Sequence, residues 1–323
     1  MLTELKFVMG AVAKKDLIPS MKHFAIKDGH IRSYNGVMAL SSPIEFDIDC
    51  KPRAVELVQA ISNCTADHTV TINMTPAGKL RIVNGPYRAY IDCIEEETPH
   101  VEPQGEHSPV DGATLREALL NVEPYIGTDA SRPWATGVFL SGGSCFATNN
   151  VCAVEYWMGS ELPFPVNVPR EAIREILRVG ENPTTIQVDA NSISFHFESG
   201  RWIRTQLFEN WTVDPRAILD APSSPKVLPE NFFEGLAAIK PFMNKQREVY
   251  FYEGGMHTSP FGEGEQGSSY MLDDFPYDGC YTLEMLQLLE KIETIDLTSY
   301  PKPCMFFQGR MRGTIIGRSM KRA

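Results

Sequence analysis

Cysteine is sparse in this chain, with seven in 323 residues, and no two of them form a CxxC pair. An odd number, mostly in apolar or strand-like contexts, reads as reduced core thiols rather than a disulfide framework or a zinc site. No apolar run approaches the ~18 residues that span a bilayer. The opening MLTELKFVMGAVAKKD has neither the basic start nor the unbroken apolar core of a secretion signal. A cytoplasmic location is therefore expected, and the NxT triplets at Asn63, Asn73 and Asn210 read as chance matches.

Motifs of chemistry are missing as well. The sequence holds no GxxxxGK[ST] phosphate loop, no HExxH and no GxSxG elbow. One GxGxxG runs from Gly262 to Gly267, but Glu263 and Glu265 would repel a pyrophosphate and strand-like sequence flanks it, so it reads as a hairpin loop. The seven histidines are scattered without ligand spacing. Asp273-Asp274 and the Asp47/Asp49 pair lack further ligands and read as solvated surface. No enzyme, cofactor or metal site is expected.

Positive charge is also in short supply. Thirty Lys and Arg face 41 Asp and Glu, for a formal net charge of −11. That argues against a protein coated by nucleic acid, while leaving local basic patches open. Hydrophobic content of 43% is ordinary for a globular chain, and the length suits two or three domains.

Against this acidic background one stretch stands out, VPREAIREILRV at 168–179. As a helix it puts Arg170, Arg174 and Arg178 in one column at four-residue spacing, with Ala172, Ile173, Ile176 and Leu177 on the opposite arc. Like charges in a column repel. Either Glu171 and Glu175 soften a solvated face, or the column faces an anion.

A repeat favours the second reading. CKPRAVELVQAISNC, VNVPREAIREILRVG and YTLEMLQLLEKIE are amphipathic helix candidates with polar or proline-containing starts. Alternating segments follow them, as in TVTINMTPAGKLRIVNGPYRAYIDCI and TTIQVDANSISFHFESGRWIRTQLF. Three further units begin LTELKFVMGAVAKK, VDGATLREALLNVEPYI and VLPENFFEGLAAIKPFM. The pattern predicts an α+β chain of six helix-plus-antiparallel-strand units, paired into three tandem domains at 1–108, 109–222 and 223–323. The seams fall near EEETPHVEPQGEHSPV and LDAPSSPKV. Such an array would share its sheets and gather its helices on one side. Basic candidates for that side are Lys14, Lys15, Lys51, Arg53 and Arg116, the three arginines above, and Lys240 and Lys245. The last helix adds only Lys291.

FATNNVCAVEYW, VNVPREAIREILRV, NPTTIQV, SISFHF and TQLFENWTVDPRAIL follow in order and spacing the central domain of the bacterial DNA polymerase III beta sliding clamp family. The chain resembles that family, or a phage- or plasmid-encoded relative of it. The family's ATDGHRLA reads ATNNVCAV here, with Asn150, Val151 and Cys152 in place of Gly-His-Arg. Its FPDYRRVLP reads TVDPRAILD, and its Met-Pro-Met-Arg-Leu tail is replaced by IIGRSMKRA. The first and last domains match mainly in pattern.

The resemblance implies a head-to-tail homodimer, a six-domain ring with outer sheets and helices lining a hole around duplex DNA. Contacts to the DNA would be independent of sequence. Lys15 then falls at a basic DNA contact, and Arg132 and Trp134 fall in a loop that touches DNA. A pocket between the second and third domains would take short linear peptides of a DNA polymerase and a clamp loader. Thr148, Val151, Cys152 and Ala153 match it from one segment, Val213, Ala217 and Ile218 from a second. Cys304, Ile315, Ile316, Gly317 and Met320 complete it. Phe242 and Met243 match the ring-closing contact. A clamp-like interaction or decoy protein that has lost encirclement is the alternative, and a hydrolase on a duplicated scaffold is the third reading.

Overall fold

The computed structural model describes residues 1–15, 18–46, 48–99, 101–261 and 267–320. The GxGxxG loop, Asp47, His100 and the last three residues of the tail thus lie mostly or wholly outside the described residues.

Six helix-and-strand repeats are present. In the first, α1 (Leu2–Val8) leads to β1 (Ala25–Lys27), β2 (His30–Tyr34) and β3 (Met38–Pro43). In the second, α2 (Ala54–Ser62) leads to β4 (Val70–Met74), β5 (Lys79–Asn84) and β6 (Tyr87–Asp92), and a connecting strand β7 (Glu106–Pro109) follows. The third has α3 (Gly112–Val122), β8 (Gly137–Ser141), β9 (Ser144–Thr148) and β10 (Cys152–Trp157), followed by connecting β11 (Val166–Pro169). The fourth has α4 (Arg170–Val179), β12 (Pro183–Asp189), β13 (Ser192–Phe197) and β14 (Trp202–Gln206), then a single turn, α5 (Arg216–Leu219).

The fifth runs α6 (Phe232–Ile239), β15 (Glu248–Tyr252), β16 (Gly255–His257) and β17 (Ser269–Met271), with connecting β18 (Gly279–Thr282). The sixth runs α7 (Leu283–Gln287), β19 (Thr294–Ile295), β20 (Cys304–Gln308) and β21 (Met311–Ile315). All strand pairs in these sheets are antiparallel.

Local chemistry explains the element ends. Asp111 caps α3, accepting from the Thr114 N–H at 3.1 Å and from its hydroxyl at 2.7 Å. Helix α4 buries Ala172, Ile173 and Ile176, with Glu171 in its first turn and Arg178 in its last, both favourable to the helix dipole. Between β9 and β10 the Asn149 carboxamide oxygen accepts from the N–H groups of Val151 (3.2 Å) and Cys152 (2.8 Å). Asn150 there has φ 72°, the left-handed region that glycine and asparagine tolerate. Asparagine therefore keeps the turn at the position where the resembling signature has glycine.

The chain divides into two compact units. Residues 1–116 and 171–208 form the first, residues 117–170 and 209–323 the second. Unit 1 holds a seven-stranded sheet ordered β1-β2-β3-β14-β13-β12-β7 and a three-stranded sheet β4-β5-β6. Its core includes Leu5, Phe7, Ile31, Leu40 and Phe195, with Phe7 edge-on to Phe197 at 6.4 Å. Unit 2 holds a seven-stranded sheet ordered β11-β8-β9-β10-β21-β20-β19 and a four-stranded sheet β17-β16-β15-β18. Phe232, Phe251, Phe275 and Tyr281 cluster in its core, centroids 5.1 to 5.9 Å apart.

These units do not follow the expected divisions after residues 108 and 222. The reason is sheet continuity. Trp202 of β14 pairs with Ser41 of β3, and Cys152 of β10 with Ile315 of β21, so strands from different repeats share one hydrogen-bonded sheet.

Candidate functional site

The arginine column on α4 forms as the periodicity demands, but its members differ. Arg170 is partly buried and pairs with Glu123 at 3.4 Å. Arg174 is exposed. Arg178 is held at 2.6 Å from Glu175, and also donates to the carbonyl oxygens of Phe7 (2.8 Å) and Lys6 (3.3 Å).

The other basic candidates fall into two groups. Lys14, Lys15, Lys240 and Lys245 are exposed. Arg53 pairs with Glu56 at 3.2 Å, and Arg132 lies 3.9 Å from Asp129. Arg116 donates to the Leu177 carbonyl at 2.9 Å, while Lys51 donates to those of Glu95 and Glu96. Several cations are therefore already engaged by the chain itself.

The second candidate region lies wholly in unit 2. Thr148, Cys152, Cys304 and Ile315 are buried, Ala153, Gly317 and Met320 are half-buried, and Val151, Val213, Ala217, Ile218 and Ile316 are exposed. Pairing of β10 with β21 sets Cys152 and Ala153 opposite Ile315 and Thr314. Helix α5, which carries Ala217 and Ile218, is fastened to that pair of strands by Glu155.

Glu155 is 7% exposed and receives three groups. Its Oε2 lies 2.7 Å from Arg312 Nε, and its Oε1 accepts from Arg216 Nε at 3.2 Å and the Ser144 hydroxyl at 2.7 Å. Arg312 also reaches Asp220 (2.8 Å), and Arg216 lies over the Phe146 ring, 4.9 Å from its centroid. This network was not read from the sequence. The only signal was a glutamate in an otherwise apolar strand, AVEYW.

Beside it a cleft of about 170 Å³ is lined by Trp134, Glu209, Asn210, Trp211, Thr212 and Val213. Trp211 stacks on Phe139 (5.5 Å, 13°) and stands edge-on to Trp134 at 5.6 Å, while its indole N–H donates to the Trp134 carbonyl at 3.0 Å. Asn167 braces the wall from behind, donating to the carbonyls of Trp134 (3.0 Å) and Glu209 (2.8 Å). The structure thus places Trp134 in the rim of an apolar cleft together with Val213.

The C-terminal segment is pinned. The Arg318 N–H donates to the Cys280 carbonyl at 2.7 Å, and Tyr300 donates its hydroxyl proton to the Arg318 carbonyl at 2.6 Å. Tyr300 accepts in turn from the Met320 N–H at 3.0 Å, and Arg318 pairs with Glu248 at 2.6 Å. A Cβ on Gly317 would meet the Tyr300 ring at 2.7 Å, so glycine is what lets the tail lie flat.

Sheet edges form the third candidate. Strands β6 and β17 are end strands of their sheets. Tyr90 on β6 is 56% exposed and Met271 on β17 is 60% exposed, while Phe242, after α6, is 61% exposed beside half-buried Met243. Among the described residues there is no cluster of three or more metal-ligating side chains. No helix among them is long and apolar enough to cross a membrane.

No protein-family model and no curated protein sequence matches the chain. Solved structures do. The sliding clamp (DNA polymerase III subunit beta) of Pseudomonas aeruginosa bound to griselimycin gives a TM-score of 0.82, covering 99% of this chain and 97% of that one at 14% identity. The beta subunit of the DNA polymerase of Streptococcus pyogenes gives 0.81 over 98% and 97% at 16% identity. The pol III beta of Caulobacter crescentus gives 0.82 over 98% and 97% at 14% identity.

The chain has the sliding-clamp fold.

On the clamp fold the six repeats and the joined sheets take on a common logic. Within each compact unit, a seven-stranded sheet is made by joining the third strands of two repeats, β3 to β14 and β10 to β21. Among the described residues two repeats lack that partner, and their third strands are β6 and β17.

Proposed function

We propose that this protein is a DNA sliding clamp, a processivity factor that encircles duplex DNA and tethers a DNA polymerase. The unused strand edges carry the proposal. Unit 2 builds its seven-stranded sheet from four strands, β11-β8-β9-β10, joined to three, β21-β20-β19. The leftover sheets have the same two shapes, β18-β15-β16-β17 and β6-β5-β4. Joining β17 of one copy to β6 of a second would complete a third sheet of the same order. Two such joints close a head-to-tail homodimer, and an unpaired strand edge is otherwise a hazard for association. The exposed Tyr90, Met271 and Phe242 suit that interface.

The ring would comprise three domains per chain, 1–108, 109–222 and 223–323, with the helices facing the hole. Lys14, Lys15, Lys240 and Lys245 would meet phosphates together with Arg174, and Arg53, Arg116, Arg132, Arg170 and Arg178 would add to the positive field. Such contacts are independent of base sequence, and the protein performs no reaction. Linear peptides of a polymerase and a clamp loader would dock on the exposed apolar residues Val151, Val213, Ile218 and Ile316. Their anchoring side chains would enter the cleft between Trp134, Trp211 and Val213. A cytoplasmic setting fits this work.

Light scattering across micromolar concentrations tests the reading. A dimer is expected, together with retention on closed circular DNA that is lost when the circle is linearised. A monomer at every concentration, or equal loss from both DNA forms, would sink encirclement.

A further inference from the structure

The joint inside unit 2 has a residue-by-residue counterpart at the two unused strand edges. Hairpin β20–β21 turns through Gly309 and Arg310, with Gln308 opposite Met311. Hairpin β5–β6 turns through Gly85 and Pro86, with Asn84 opposite Tyr87. Equal turns align the two, so Arg88 stands where Arg312 does, Ala89 where Gly313 does, and Ile82 where Phe306 does. On the other side of the joint, β8–β9 turns between Ser141 and Ser144, and β15–β16 between Tyr252 and Gly255. Ser144 pairs with Trp157 and Gly255 with Met271, so Met271 matches Trp157, Tyr270 matches Tyr156, and Ser269 matches Glu155. The helix layer repeats as well. VEPYI after α3 and IKPFM after α6 form the same proline-containing turn, which sets Phe242 in the place of Tyr125.

We propose that two copies join β17 to β6 in the register of β10 to β21, and that this joint parts most readily because both polar latches of the internal joint are missing from it. The inference rests on the ring reading above. Internally, Val154, Glu155 and Tyr156 stand opposite Gly313, Arg312 and Met311. Carried over, Ser268, Ser269 and Tyr270 of one copy face Ala89, Arg88 and Tyr87 of the second. The pairing of β16 with β17 extends far enough to present these residues, since the Thr258 N–H donates to the Ser268 carbonyl at 3.0 Å.

Two substitutions separate the joints. In the sheet, Glu155 holds Arg312 at 2.7 Å, whereas Ser269 puts a hydroxyl opposite Arg88. In the helix layer, buried Tyr125 stacks on Phe306 at 6.1 Å and donates its hydroxyl to the Leu288 carbonyl, just past α7, at 2.9 Å. Phe242 offers the same ring without the hydroxyl and is 61% exposed. In the second copy its ring would lie beside Ile82 and the C-terminal end of α2. The joint inside unit 1 carries a latch too, from Arg178 to the Phe7 carbonyl. Contact between copies is thus left to strand pairing and apolar burial, which is non-directional, while the directional bonds are kept for the joints inside each chain.

The test uses the full chain and begins with the mass of the wild type, which reads dimer formation independently of register. Opposed residues of an antiparallel pair have Cα atoms about 4.5–5.5 Å apart, within reach of a disulfide. R88C combined with S269C should therefore give a covalent dimer under mild oxidation, with residues 88 and 269 in one linked peptide by mass spectrometry. R88C combined with M271C, two residues out of register, should not. Restoring either latch should tighten the joint: S269E and F242Y should each slow subunit exchange by about 2- to 10-fold, the range of one ion pair or hydrogen bond. A wild type that is monomeric at every concentration would remove the ring reading and this inference together. A wild-type dimer that links residue 88 to 271 instead, or that exchanges as fast in S269E and F242Y as without them, would overturn this inference and leave the ring standing.

Discussion

The guanidinium of Arg178 donates to the main-chain oxygen of Phe7 across 2.8 Å. Phe7 lies in the last turn of α1, where its carbonyl also accepts from the N–H of the C-cap residue Met9. Arg178 thus caps another helix as well as ending its own, and Glu175 balances its charge at 2.6 Å. Replacing Arg178 by Ala should cost about 1–2 kcal/mol in urea unfolding, the scale of hydrogen bonds to a charged group discounted for partial exposure. Unchanged stability would mean that water competes successfully for these donors.

Arg174 tests the DNA-facing assignment of the column. It is exposed on the same helix, and R174E should weaken DNA association at low salt. The slope of log affinity against log salt should fall by about 0.9 for each phosphate that the variant no longer neutralises. Identical slopes for wild type and R174E would remove this residue from the DNA-facing set.

Glu155 stands at the joint of two repeats, opposite Arg312 in the β10–β21 register. Replacement by Gln keeps the shape and removes the charge that Arg216 and Arg312 share. Breaking such a pair is expected to cost about 2–3 kcal/mol, toward the low side because both arginines are a third exposed. Binding of a clamp-binding peptide should weaken in parallel, because α5 loses its anchor to the sheet. A variant as stable as wild type would assign the joint to backbone pairing alone.

His196 predicts a pH dependence. Burial, and then the neighbouring His107 ring at 4.8 Å, lower its pKa from the ordinary 6.5. Its neutral ring donates from Nε2 to the Gln187 carboxamide oxygen at 2.6 Å, and Gln187 in turn donates to the Gly105 carbonyl at 2.8 Å. A histidine depressed in the folded state binds its proton more readily when unfolded. Its contribution is therefore complete above the unfolded pKa near 6.5 and is lost as pH falls through the lower folded value. Unfolding midpoints should decline below pH 6.5, and H196Q should flatten that decline. An unaltered pH profile in H196Q would place the effect elsewhere.

Much of the architecture is legible in the sequence because it is set by neighbours. Helical spacing over 170–179 depends on residues three and four apart, and its buried and exposed arcs fall where Ile173, Ile176 and Arg174 require. The six repeats follow for the same reason, as does the turn at Asn150, where a side-chain amide does locally what a glycine would. What no local pattern carries is the partner of a strand edge. Ser41 meets Trp202, and Glu155 meets Arg312, across separations that periodicity cannot see.

Tertiary structure therefore decided which arginines are spent on carbonyls and carboxylates, which pocket residues are buried, and that the two compact units cut across three sequence segments. By itself the sequence determined the kind and order of the elements, since a helix or strand is chosen by contacts within a few residues. Pairing and burial belong to the folded chain, because their energy comes from groups that only folding brings together.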